Sequence, residues 1–190
     1  MNNNLLTNTA VGQDAYQIAY QTKEWISQII VGLNFCPFAK KELVNNSIYY
    51  YVAHQPKLKK LVQEFNEQCL FLYNHPEIET SLLIFPTGFA DFQRYLELVD
   101  YCNDLIVSEG YEGVFQVASF HPMYCFEGED YDDAANYTNR SPYPTIHLIR
   151  EKSMEKVLAV YKQPEKIPEN NIRLARQKGH QFFENILNKR

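Results

Sequence analysis

Cys36 and His121 are side chains whose types suit a nucleophile and its base, far apart in sequence but free to meet in a fold. Cys36 lies in "GLNFCPFAK", residues 32–40, where Pro37 fixes the local backbone and Lys40, with Lys41 beyond it, brings positive charge. A cation beside a thiol favours the thiolate, and the same cations can receive an anion. Pro37 also suits the first turn of a short helix, whose free N–H groups would serve either purpose. The opposing reading is a structural cysteine among Phe35 and Phe38, because free cysteine is among the most buried residue types.

His121 lies in "SFHPMYCFEGEDYDDAANYTNR", residues 119–140, directly after an apparent strand, where α/β folds commonly place ligands. It could act as general acid or base, orient another group or bind a metal. With Cys125 and Glu127 it makes, on paper, a nitrogen, sulfur and oxygen set for a divalent metal such as zinc, although the spacing matches no standard zinc signature. Asn34, Lys40, Asn139 and Arg140 supply amide and cationic groups for a substrate, and Arg140 suits bidentate recognition of a carboxylate or phosphate. Alternatively, Arg140 braces the acidic loop through Asp132 or Asp133. His147 reads as a satisfied strand histidine, and His54, His75 and His180 as boundary or surface residues.

The elements that must position these groups follow from periodicity. Helical spacing of Ile18, Trp25, Ile26, Ile29 and Ile30 predicts a helix from Asp14 to Val31, stopped at Gly32. A second helix follows Pro56, with Leu58, Leu61, Val62, Phe65, Cys69 and Leu72 on one stripe, and a third carries Phe92, Tyr95, Val99, Cys102 and Ile106 before Gly110. "SIYYYVA", "TSLLIFP", "GVFQVASF" and "TIHLIR" read as strands, and two helical segments close the chain. The alternation predicts one α/β domain over residues 13–190 behind a mobile tail at 1–12, α+β being the alternative. Its four-stranded mixed sheet would contain parallel βαβ units with helices packed on it. Phe120 to Pro144 joins strands three and four as an unusually long loop, since structureless loops beyond about 12 to 15 residues are uncommon in compact domains. The direction of the fourth strand stays open.

Composition narrows the function classes. The 190 residues carry a net charge of -5, which removes the electrostatic footprint of a nucleic-acid partner. No run approaches the roughly 18 to 20 apolar residues of a membrane span, and the N-terminus lacks the pattern of an export signal, so a cytoplasmic protein is expected. The cysteines at 36, 69, 102 and 125 form no CxxC pair, which fits reduced thiols.

"GLNFCPFAK", "VFQVASFHP" and "YCFEGEDYDDAANYTNRSPYPTIHLIRE" together resemble the DUF1415 family of uncharacterised bacterial proteins, over most of the chain from the first helix through Glu151. The resemblance implies a compact soluble protein without an assigned activity. Met123 stands where an acidic or polar residue is expected in that family's His-Pro loop, which argues against a mechanism needing a carboxylate there. The residues suggest an enzyme acting on a small anionic or polar metabolite where segments 34–40 and 120–144 meet. The alternatives are a metal-binding protein using His121, Cys125 and a carboxylate, and a non-catalytic interaction module presenting Tyr124, Phe126, Tyr131 and Tyr143. A structural loop covering the sheet is the plain alternative to all three.

Overall fold

Each apolar stripe in the sequence becomes the buried side of an element. A computed structural model describes residues 13–53 and 57–188; the expected tail at 1–12, His54 and Pro56 lie outside the described residues. Helix α1 (Gln13–Trp25) continues into a π-helical turn (Ile26–Val31) and is followed by α2 (Ala39–Asn45), β1 (Ile48–Val52) and α3 (Leu58–Asn74). Next come β2 (Thr80–Ile84), α4 (Phe92–Ser108), β3 (Phe115–Phe120) and β4 (Thr145–Arg150), then α5 (Glu151–Leu158), α6 (Ile167–Lys178) and α7 (His180–Leu187). The last helical segment expected from the sequence is broken in two at Gly179, whose φ of 74° no helix continues through.

Two glycines end helices for different reasons. Gly110 has a φ of 74°, and its N–H reaches Val107 O while that of Tyr111 reaches Ile106 O, the paired bonds of a left-handed helix cap. Gly32 keeps a right-handed φ of -61°. There a Cβ would lie 2.3 Å from Gln28 O, so glycine is required by close approach of the wide π turn.

The sheet order is β1-β2-β4-β3. β1 and β2 are parallel, joined by the crossover α3, and β4 runs antiparallel to both β2 and β3. The long loop therefore returns the chain as a wide hairpin, with β4 inserted between β2 and β3. Helices α3 and α4 cover one face, packing Leu61, Phe65, Leu98 and Cys102 with Tyr49, Leu83, Ile146 and Leu148. The other face, with Ile48, Tyr50, Val52, Leu82 and Ile84, receives Trp25, Ile26, Ile29 and Ile30 and, from the C-terminal helices, Ala175 and Phe183. Arg150, at the end of β4, donates to the carbonyls of Leu72, His75 and Ile78, so one guanidinium closes the C-terminus of α3. No helix among the described residues is long and apolar enough to cross a membrane.

Candidate functional site

The loop between β3 and β4 spends its polar groups on itself. His121 is fully buried; its Nε2 lies 2.8 Å from Phe89 O and its Nδ1 accepts the Met123 N–H at 3.0 Å, so a carbonyl takes the proton and a backbone amide takes the lone pair. Phe92 and Tyr95 pack on the ring at 5.1 and 5.0 Å. Burial pulls its pKa below the usual histidine value, the Phe89 carbonyl and Asp91 opposing. Asn136, with no exposed surface, accepts from Phe126 N–H and donates to the carbonyls of Asp130 and Tyr131. Asn139 donates to Ser119 O, stitching the loop to β3.

Arg140 braces the loop, but through backbone carbonyls and not through Asp132 or Asp133. It is buried, donates to the carbonyls of Tyr124 at 3.0 Å and Tyr131 at 2.6 Å, and lies over the rings of Tyr131 and Tyr137. The acidic part of the loop is braced by Arg176 of α6, which reaches Glu129 at 2.8 Å and Asp133 at 3.0 Å. The Arg176 guanidinium, with the Ala135 N–H, holds Asp133 below the usual carboxylate range. No local signal on a helix forty residues downstream marks Arg176 as that partner.

Cys125 directs its thiol toward the carbonyls of Phe126 and Glu129, while Glu127 is exposed. Among the described residues no group of three or more His, Cys, Asp and Glu side chains is arranged to hold a metal ion, so His121, Cys125 and Glu127 do not form a ligand set in this arrangement. Of the four loop aromatics, Tyr131 alone is exposed; Tyr124 packs against Phe92 and Phe126.

Cys36 lies elsewhere. It packs with the core on the face of Ile48, Tyr50 and Leu82, whereas His121 packs on α4 across the sheet. The two are not brought together. Cys36 instead lines a cavity of about 410 Å³ between the π-helical turn, α2, α5 and the sheet. Leu82, Ala118, Phe120 and Ile149 give it an apolar floor, Trp25, Ile26, Ile30 and Phe38 wall one side, and Met154 and Val157 of α5 the other. Exposed Lys41 and Lys156 mark its mouth, with Glu42 and Glu79. Of the 120–144 segment, only Phe120 appears in this lining among the described residues. Asn34, in a left-handed turn with φ 55°, and Lys40 are exposed outside it.

The polar centre of the cavity is His147, placed there because β4 alternates Ile146 and Leu148 toward α3 and α4 and His147 toward the opposite face. Thr80 Oγ1 lies 2.6 Å from both His147 Nε2 and Leu148 O. A carbonyl can only accept, so the threonine hydrogen goes to Leu148 and the hydroxyl accepts from Nε2–H. The ring is held as one neutral tautomer with a bare Nδ1. It is part-buried and lines the cavity, and desolvation pushes its pKa down to about 4.

Cys36 meets two opposing influences. Burial raises its pKa, and the N–H groups of Phe38 and Ala39 lower it by less, so the net shift is upward and the thiol stays protonated at neutral pH. The expected thiolate, favoured by Lys40 and Lys41, is thereby corrected: Lys40 is outside the cavity and Lys41 pairs with Glu42 at 3.4 Å. Two further polar atoms of the wall, Trp25 Nε1 and Glu79 Oε1, are buried without a hydrogen-bond partner.

The family described as "Protein of unknown function (DUF1415)" matches residues 17–185. The chain belongs to that family. No curated protein and no solved structure matches it. The matched DUF1415 region contains both the self-paired loop and the cavity wall, and its two most conspicuous sequence blocks fall one on each. In this DUF1415 chain the site residue that sequence reasoning passed over is His147. Its signal was present in "TIHLIR": a histidine in a run otherwise apolar at 146, 148 and 149 must face either a partner or a hole.

Proposed function

We propose that this protein binds a small molecule with a mostly apolar body in the cavity bounded by the π-helical turn, α2, α5 and the sheet. The reading rests on one observation: an apolar enclosure of about 410 Å³ with a single part-exposed histidine at its floor. That combination of volume, apolar walls and few fixed polar groups is the usual make-up of a ligand site. Of the segments expected to form a site, 34–40 contributes Cys36, Phe38 and Ala39 and 120–144 contributes Phe120 alone, the rest of the opposing surface being the sheet and α5. Binding is favoured over thiol catalysis because the Cys36 thiol is shifted up and His147 down to about 4, both away from the neutral range in which proton transfer is efficient.

Trp25, the single tryptophan of the chain, stands in the wall and reports occupancy. Titration with the apolar dye N-phenyl-1-naphthylamine should give saturable dye enhancement with loss of Trp25 emission. Ala118→Phe, which places a ring in the floor, should abolish both without altering the far-ultraviolet circular dichroism. Equal dye binding by wild type and Ala118→Phe would sink the proposal.

A further inference from the structure

We infer that the molecule taken by this cavity is uncharged and carries a hydroxyl or N–H group that donates a hydrogen bond to Nδ1 of His147, as an apolar phenol or alcohol does. The inference rests on the cavity reading above and names the chemical class of its occupant. Thr80 decides it. With the Thr80 hydrogen given to Leu148 O, Nε2 must carry the imidazole proton, and Nδ1 presents a lone pair with no hydrogen-bond partner. An unpaired acceptor on the cavity surface is satisfied by an occupant that bears a donor.

The surroundings exclude charged alternatives. A carboxylate at this depth would set acceptor against acceptor, and it would bind only by protonating a ring that its desolvated position keeps neutral. An ammonium could donate, but Leu82, Ala118, Phe120 and Ile149 around the ring offer it no counter-charge, and the unpaired Oε1 of Glu79 has no accessible surface to meet it. The mouth supplies none either in net terms, since Lys41 and Lys156 are balanced by Glu42 and Glu79. An anionic substrate, as the loop residues of the sequence suggested, therefore fits this cavity poorly. An uncharged donor on an apolar frame satisfies His147 Nδ1 and leaves the walls dry, since the other two unpaired polar atoms, Trp25 Nε1 and Glu79 Oε1, have no accessible surface.

Displacement of N-phenyl-1-naphthylamine by three matched probes separates the possibilities: 4-tert-butylphenol, its methyl ether and 4-tert-butylbenzoate. Wild type should bind the phenol at least tenfold more tightly than either other probe. In His147→Phe the preference over the ether should fall to within twofold. Thr80→Val gives an independent check that leaves the ring in place: with Nε2 released, the imidazole can move its proton to Nδ1, so the ether should gain affinity and the preference narrow. An ether or benzoate bound as tightly as the phenol by wild type overturns the donor assignment while leaving the cavity reading intact. A preference that survives both variants does the same. Failure of every probe to displace dye, with dye binding unaffected by Ala118→Phe, removes the cavity reading and this inference with it.

Discussion

The β3–β4 loop and the cavity on the far side of the sheet treat polar side chains in opposite ways. In the loop, His121, Asn136, Asn139 and Arg140 are each matched to backbone carbonyls or amides. Around the cavity, His147 keeps an unused lone pair, and Trp25 Nε1 and Glu79 Oε1 are buried with no partner. A dense cluster of polar residues in sequence can thus be a device for folding a long irregular segment, because every buried backbone group there needs a partner. The proposed ligand site differs in keeping an acceptor, His147 Nδ1, unmatched on its surface.

The sharpest way to break the contrast is Asn136→Ala. It orphans the Phe126 N–H and removes one of two donors from each of the Asp130 and Tyr131 carbonyls, which keep Asp133 N–H and Arg140; together these losses should cost roughly 3 kcal/mol in urea unfolding. Dye binding by the fraction still folded should be unchanged; loss of dye affinity in proportion would show that the loop and the cavity are one site.

The next largest effect belongs to His147 and depends on pH. Its folded pKa, about 4, lies below the ordinary 6.5, so the unfolded chain takes up the proton first as pH falls. The stability due to a neutral ring is fully present above about 6.5 and is lost as pH drops toward about 4. The loss should reach at most about 3 kcal/mol and be missing from His147→Phe, read as the difference in urea midpoints between pH 7 and pH 4.5. His121, also shifted down, contributes with the same sign in both proteins. Equal pH slopes would mean that the His147 ring is solvated.

Arg140→Lys should cost about 2 kcal/mol, because an ammonium cannot reach the carbonyls of Tyr124 and Tyr131 while lying flat between two tyrosine rings. A substrate-binding Arg140 would instead show unchanged stability. The smallest effect is expected for Arg176→Ala, whose contacts with Glu129 and Asp133 are solvent-exposed. Its slight destabilisation at low salt should vanish at high salt, and a loss that persists would place those carboxylates in the buried network.

Much of the architecture was legible because it depends on local periodicity. The stripe through Leu61, Phe65, Cys69 and Leu72 could only be one helix face, and Gly110 acts as the left-handed cap that its position suggested. The long loop was legible too, but its purpose was not. Asn136 and Arg140 look alike in sequence whether they bind a metabolite or their own backbone, and only the path of the chain decides which carbonyls come within reach. The same holds for His147: alternation places it on one face of β4, whereas the hole opposite depends on how α2 and α5 pack, which no spacing in "TIHLIR" records. Cys36 does stand in a cavity wall, yet as a thiol and not the expected thiolate, since burial raises its pKa.

A π-helical turn is what a helix becomes when it accommodates a residue beyond its regular pitch. At Ile26–Val31 the Gly32 N–H reaches back five residues to Ser27 O. Removing one residue between 27 and 31 would restore ordinary winding of about 3.6 residues per turn and draw in the wide turn that carries Ile26 and Ile30, both of which line the chamber. The spacing between Trp25, which meets Phe120 edge-on at 5.1 Å, and Cys36 beyond the turn would then change with no lining residue changed in kind. The width of the chamber is therefore written in a residue count, and a one-codon deletion there would redraw it more thoroughly than most substitutions.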